Sequence, residues 1–129
     1  YDPRRDDGTL VCHYRHRAHA DPLLLPGLQD ITAFVDFTAL AEAGDSAGFD
    51  IAGYADQGAF LLGSGLDAHF SRLLDKADTA ETYRLAQQIK RLTLPGEMGE
   101  RFKLMLLTRG VPASTVPPAF IAFDQRARL

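Results

Sequence analysis

The chain has 129 residues, of which 46% are hydrophobic and 24% are charged, so it can form one soluble domain, or part of one, with a real core. Its formal net charge of -3 argues against a general nucleic-acid binder, which would carry a basic excess. The one cysteine cannot form an internal disulfide, and no apolar run approaches the ~20 residues that span a bilayer. We therefore expect a cytoplasmic protein with no membrane insertion and no nucleic-acid partner.

The first third of the chain begins with a turn-rich stretch that has no initiator methionine, which suggests part of a larger protein. Thr9–His16 alternates apolar and polar side chains, which predicts a strand with one covered face near a sheet edge. Pro22 and Pro26 argue against a helix between them. The leucines at 23–25 are therefore expected to press onto a core as an irregular segment; a substrate-facing lip is the alternative.

A capped helix that leads directly into a strand is the clearest local signal. Asp36 is a good N-cap because its carboxylate can accept from free N–H groups of the first turn. Apolar residues at helical spacing predict a helix over Phe37–Ala47, and Gly48 suits the left-handed residue that ends it. Alternation over Phe49–Tyr54 predicts a strand of the same sheet as the other strands. The sequence thus predicts one half of an α/β crossover.

The middle of the chain is predicted to be a helical hairpin inserted before the last strand. Ala68–Ala77 has apolar residues at helical spacing, Thr79 is the expected cap of a second helix, and Pro95 ends that helix. The glycines of Gly63–Gly65 resemble the start of a phosphate-binding loop, but the third glycine is missing and no parallel strand precedes them. We expect flexible backbone between short apolar turns over residues 57–66 instead.

The continuous apolar run Phe102–Thr108 predicts a strand covered on both faces. The proline-rich tail that follows cannot be a central strand, and its residues Phe120, Ile121 and Phe123 either pack back onto the body or belong to a next element. The sequence then predicts five successive segments: a lead-in strand and loop (residues 1–30), a helix–strand unit (31–56), a helical insertion (57–101), a last strand (102–109) and a proline-rich tail (110–129).

Few residues suggest chemistry on their own. His13, His16 and His19 fall three apart, so a strand would point them to different faces, and we expect no metal site. The sequence indicates no catalytic or metal-binding partner for Cys12, so we expect a buried, small apolar residue. Asp30 precedes a strand-like segment at a position where α/β sheets often place ligands, which makes it the candidate functional carboxylate.

Three separate segments, taken in order, resemble the C-terminal portion of the MidA-like SAM-dependent methyltransferases. They are DGTLVCHYRHRAHADPLLLPGLQDITAFVDFTALAEAG, GYADQGAFLLGSGL and RLTLPGEMGERFKLMLL. The resemblance implies the C-terminal part of a Rossmann-like class I methyltransferase sheet, an α/β fold, with a helical-hairpin insertion before the last antiparallel strand. In that frame Phe49–Tyr54 resembles the sixth strand and Phe102–Thr108 the seventh. Phe34 stands where the family pattern has a histidine.

The resemblance also implies a function and a site. The family transfers a methyl group from S-adenosyl-L-methionine (SAM), with a protein arginine as the implied acceptor and a respiratory-complex subunit as the example. Asp30 is the implied catalytic residue that orients the guanidinium, with Thr32, Gln57 and Met98 as substrate-binding residues. No cofactor-binding residue falls in this chain, because the SAM loop belongs to the missing N-terminal half. The chain alone is expected to be inactive.

Two other interpretations of what this chain does remain open. In one, the helical hairpin binds a partner protein and the chain is a non-catalytic interaction or complex-assembly module. In the other, the chain is a small free-standing α/β domain, which would leave an exposed sheet edge. If the chain is stable alone, we expect a homodimer through that open sheet or the presence of the missing half.

Overall fold

The computed structural model describes residues 8–129, so the predicted turn-rich start lies largely outside the described residues. The chain divides into two compact units, Tyr1–Ala39 and Leu40–Leu129, which we call the N-terminal unit and the C-terminal unit. Both contain a small antiparallel sheet, and the C-terminal unit adds most of the helices. The predicted α/β class is confirmed at this level. Among residues 8–129, none of the helices combines the length and the hydrophobicity that a membrane span requires.

The N-terminal unit contains a three-stranded antiparallel sheet. Its strands are β1 (Val11–Tyr14), β2 (Arg17–His19) and β3 (Asp30–Thr32), in the order β2-β1-β3. A tight turn joins β1 to β2, and both of its residues have left-handed backbones, with φ of 46° at Arg15 and 64° at His16. Arginine and histidine rarely adopt this conformation, so the residue types at the turn do not predict a hairpin.

The strand predicted over Thr9–His16 exists, but it is shorter and lies at the centre of its sheet rather than at an edge. Cys12 is fully buried on one face of this strand, as predicted. The segment after β2 is built of turns and contains no helix, also as predicted. The expectation that its leucines press onto a core is wrong for Leu23 and Leu24, whose exposed fractions are 80% and 59%.

The predicted capped helix is confirmed. Helix α1 (Phe37–Ser46) begins after Asp36, whose Oδ1 accepts from the N–H of Ala39 at 3.0 Å. Gly48 follows the helix with a left-handed φ of 77°, as its position predicted. Within the C-terminal unit the buried Gly44 lets the helix approach β5, because a Cβ there would lie 3.3 Å from Leu107 Cδ2.

The sheet of the C-terminal unit pairs β4 (Asp50–Asp56) with β5 (Lys103–Thr108) in antiparallel register. The pairing runs from Asp50 opposite Thr108 to Asp56 opposite Lys103, with an irregularity between Ile51 and Gly53. The predicted strands therefore exist in the predicted relative direction. Two predictions are wrong within the described residues. The strands do not share one sheet, because β1–β3 and β4–β5 form separate sheets. The last strand is not covered on both faces, because β5 is only half-buried and Leu107 is 38% exposed.

Four helices lie between β4 and β5: α2 (Gln57–Gly63), α3 (Leu66–Leu74), α4 (Thr79–Thr93) and α5 (Met98–Arg101). The predicted hairpin corresponds to α3 and α4, whereas α2 replaces the expected flexible backbone. The prediction that Thr79 caps the second helix is wrong by one position. Asp78 caps α4, and its Oδ1 accepts from the N–H of Glu81 at 2.8 Å.

Glycines allow the elements of the C-terminal unit to approach closely. A Cβ on Gly58 or Gly99 would lie 2.5 or 2.2 Å from the backbone oxygen of Thr93, so α2 and α5 both meet the end of α4. A Cβ on Gly53 would lie 2.4 Å from the ring of Phe120, which is 6% exposed. Phe120 belongs to helix α6 (Pro118–Ala122), so the proline-rich tail does pack back onto the body.

Candidate functional site

Strand β3 carries the predicted catalytic residue at its first position. Asp30 is exposed and lies opposite His13 in the β1–β3 register. No residue of the described chain donates a hydrogen bond to its carboxylate, so both oxygens are available to a ligand. Thr32, two residues later on the same strand, is also exposed, and its Oγ1 donates to the carbonyl of Val11 at 3.1 Å. The two residues therefore share one short strand of the N-terminal unit.

Gln57 and Met98 lie together in the C-terminal unit, at the junction between the two strands and the helices. Gln57 begins α2, its N–H donates to the carbonyl of Phe102 at 2.9 Å, and its Nε2 donates to the carbonyl of Leu92 at 3.0 Å. Met98 begins α5, is half-buried, and accepts from the N–H of Phe102 through its carbonyl at 3.2 Å. The Gln57 side chain is thus already used to tie α2 to α4.

A polar cluster that no sequence pattern predicted lies at the same junction. Asp56 ends β4, and its Oδ1 accepts from Nζ of Lys103, the first residue of β5. Its Oδ2 accepts from Nε2 of Gln125 at 2.9 Å. The partners lie 47 and 69 positions away along the chain, so only the folded chain brings them together. The carboxylate therefore joins β4, β5 and the C-terminal segment.

The electrostatics of this cluster favour the ionised carboxylate. Burial by itself raises the pKa of Asp56, but the hydrogen bonds from Lys103 and Gln125, with the charges of Lys103 and Arg128, lower the pKa below its ordinary value of 3.8. Because both oxygens of Asp56 are engaged within the chain, we assign this carboxylate a structural role.

The C-terminal segment also binds the backbone of β4. The N–H of Gln125 donates to the carbonyl of Tyr54 at 2.8 Å, and Nη1 of Arg126 donates to the carbonyl of Ile51 at 2.9 Å. Arg126 in turn pairs with Asp124 at 2.7 Å. This side-chain hydrogen bond lowers the pKa of Asp124 and raises that of Arg126. The segment thereby satisfies polar groups on the edge of β4 that faces away from β5.

The Gly63–Gly65 stretch is not built as a phosphate-binding loop. Gly63–Gly65 joins the end of α2 to the start of α3 rather than a parallel strand to a helix. A Cβ on Gly63 would lie 2.7 Å from Cα of Ala119, so packing against α6 explains that glycine. No group of three histidine, cysteine or acidic side chains converges within residues 8–129. His19 lies opposite Cys12, and neither of its buried ring nitrogens has a hydrogen-bond partner among residues 8–129.

A surface groove runs along the exposed side of α4 and has a volume of about 530 Å³. It is lined by residues of α4 and of the loop that follows it: Tyr83, Arg84, Gln87, Gln88, Lys90, Arg91, Leu94 and Glu97. None of the four predicted site residues contributes to this groove.

Comparison with known proteins agrees with the α/β fold. A family model described as "Putative S-adenosyl-L-methionine-dependent methyltransferase" matches residues 1–55. The mitochondrial protein arginine methyltransferase NDUFAF7 of Rattus norvegicus is 37% identical over 100 residues, which are 77% of this chain and 22% of that protein. The homologue of Drosophila melanogaster is 34% identical over 107 residues, which are 82% of this chain and 24% of that protein.

Two solved structures from Burkholderia thailandensis are similar over nearly the whole chain. An uncharacterised protein is 43% identical with a TM-score of 0.87, and the match covers 98% of this chain and 33% of that one. A second protein, bound to S-adenosyl-homocysteine, is 42% identical with a TM-score of 0.81, and the match covers 95% of this chain and 31% of that one.

The family match and these structural neighbours are all SAM-dependent methyltransferases or similar to them, and they agree with a methyltransferase fold. The chain is similar to the MidA-like SAM-dependent methyltransferases, and the resemblance seen in the sequence is confirmed. The chain spans about a quarter of the length of the curated relatives and about a third of the solved chains it matches.

Proposed function

We propose that this chain is the substrate-side, C-terminal part of a SAM-dependent methyltransferase that acts on a protein arginine. The observation that carries the proposal is the 34–37% identity to relatives named protein arginine methyltransferases, over 75–82% of the chain. The S-adenosyl-homocysteine in a structural neighbour supports the use of SAM. These matches favour an enzyme over the non-catalytic assembly module.

In this proposal the chain's sheet is part of a larger, Rossmann-like sheet. Strand β4 corresponds to the sixth strand and β5 to the antiparallel seventh, with α2–α5 as the helical insertion between them. The C-terminal segment occupies the outer edge of β4, while β5 pairs with no other strand among the described residues. An isolated two-stranded ribbon is marginally stable, so we infer that β5 continues the sheet of the SAM-binding part.

The methyl donor is then bound by that other part of the protein, and this chain contributes to the acceptor site. An ionised carboxylate can hold a guanidinium through two parallel hydrogen bonds, which fixes the direction of the attacking nitrogen as well as its charge. We assign this role to Asp30, because its carboxylate is exposed and unengaged within the described chain. Thr32 lies beside it on β3, and Gln57 and Met98 of the C-terminal unit stay predicted substrate-binding residues.

The role of Asp30 is tested by methyl transfer in the full-length protein. We expect Asp30→Asn to lower the rate of methyl transfer from labelled SAM to an arginine-containing peptide by about 100-fold, because the amide cannot accept both hydrogen bonds. The thermal midpoint should change little, since the residue is exposed and engages no described partner.

The matched control is Asp36→Asn, which makes the same chemical change six residues away. Asparagine is a good N-cap, so α1 and the transfer rate should both be retained. Equal rates for the two variants would remove Asp30 from the site. Absence of transfer to any arginine peptide by the wild-type protein, with SAM bound, would contradict arginine as the acceptor.

The remaining expectations stay predictions. We propose a protein substrate, such as a subunit of a respiratory complex, no nucleic-acid partner and a cytoplasmic location. The isolated chain is expected to lack transferase activity, and if it is stable alone, to form a homodimer through the open edge of β5.

A further inference from the structure

The groove along α4 has features that the methyltransferase proposal does not use. Its floor is the exposed side of the helix, where Tyr83 is 69% exposed and Leu94 is 46% exposed. These two apolar side chains lie eleven positions apart, which is about 16 Å along a helix. Between them the amide of Gln87 and the cations of Lys90 and Arg91 line the groove. The groove therefore has an apolar side chain at each end and polar and cationic side chains between them.

The charge of the groove opposes that of the chain as a whole. The groove carries three cations and one carboxylate, a formal charge of +2, whereas the chain carries -3. Arg84 already pairs with Glu81 at 3.1 Å. Neither Lys90 nor Arg91 forms a salt bridge with any carboxylate of the described chain. Two adjacent cations are therefore available to an acidic ligand, and both are exposed.

We propose that this groove binds an acidic, extended segment of a partner protein. Five residues of an extended chain span about 16 Å, which matches the distance between the two apolar ends. Acidic side chains in the middle of the segment meet Lys90 and Arg91, and apolar side chains at its ends meet Tyr83 and Leu94. The concave shape and the amides suit a polypeptide better than a flat anionic membrane, which a broad cationic face would serve. This proposal is independent of the proposed methyl transfer.

The test uses a fluorescein-labelled hexapeptide of four glutamates flanked by leucines, and measures its fluorescence anisotropy with the purified full-length protein. We expect saturable binding that the double variant Lys90→Glu/Arg91→Glu weakens about tenfold. Tyr83→Ala should weaken binding about threefold, since it removes one apolar end. The matched control is Arg72→Glu/Lys76→Glu, which makes the same charge change at exposed positions near α3 and should alter affinity less than twofold.

Circular dichroism confirms that each variant is folded, and Lys90→Gln/Arg91→Gln replaces the charge reversal should that variant unfold. The proposal is overturned if the peptide does not bind, if the control weakens binding as much as the groove variant, or if a peptide with lysines in place of glutamates binds equally well. It is also overturned if vesicles with phosphatidylserine, and not the peptide, bind in a Lys90- and Arg91-dependent way.

Discussion

The two units of the chain differ in how their side chains are packed. Within the described N-terminal unit, Cys12 is the buried hydrophobic residue, and Phe34 and Val35 are 70% and 58% exposed. In the C-terminal unit, Tyr54, Ala55, Ala119 and Phe120 are all buried, and glycines bring backbones into contact. Close packing and the proposed catalytic carboxylate therefore lie in different units. A substitution should therefore have a large effect on stability in one unit and a small one in the other.

The largest effect is expected for Phe120→Ala in the C-terminal unit. The ring packs over Gly53 and lies 5.1 Å from the ring of Phe60, so its removal leaves a cavity that the backbone cannot fill. We expect a loss of about 3 kcal/mol in the free energy of unfolding, measured by urea denaturation. Ile121→Ala is the control, because that neighbouring side chain is 66% exposed and should cost less than about 0.5 kcal/mol. Similar losses for both variants would contradict the packing of α6.

A smaller effect is expected for Cys12→Ser in the N-terminal unit. The thiol is fully buried at the centre of the three-stranded sheet, and a hydroxyl there loses its hydrogen bonds to water. We expect faster hydrogen exchange of the β1–β3 amides, equivalent to about 1–2 kcal/mol. His13→Ser on the exposed face of the same strand serves as the control. If both variants exchange alike, the buried face of this sheet contributes no more than its exposed face.

The smallest effect concerns the carboxylate of Asp56. Its pKa is lower in the folded chain than in the unfolded chain, so the folded state is stabilised above the ordinary value of 3.8, and this contribution disappears as the pH falls through the folded pKa. Asp56→Asn should remove this pH dependence and cost about 1 kcal/mol or less near pH 6, since the pair with Lys103 is partly exposed. Urea denaturation between about pH 6 and pH 3 measures the difference. An unchanged slope in the variant would show that Asp56 is not the group responsible.

Elements with local signals were predictable from the sequence. Asp36 caps α1 through a bond within three residues, and the alternating and apolar runs of β4 and β5 identify them as strands. Helix α2 was missed although Asp56, a residue type that caps helices, precedes it; in the structure this carboxylate makes no capping hydrogen bond and is engaged by Lys103 and Gln125. Its glycines lower helix propensity, and tertiary packing requires them.

The candidate site was predictable only in part, because its contacts are long-range. The family resemblance indicated Asp30, and the structure shows this carboxylate exposed and unengaged by described residues. The junction at Asp56 depends on partners 47 and 69 positions away, for which no local spacing exists. The left-handed turn at Arg15 and His16 was equally hidden, because its residue types adopt that backbone rarely.

The most direct test of the central claim is calorimetric titration of SAM into two samples, this 129-residue chain and the full-length protein. We predict saturable heat with the full-length protein and none with the chain alone, because the family resemblance places the SAM-binding loop in another part of the protein. Circular dichroism of the chain establishes that it is folded in the same buffer. Stoichiometric SAM binding by the folded chain alone would contradict the account, since the cofactor site would then lie within this segment.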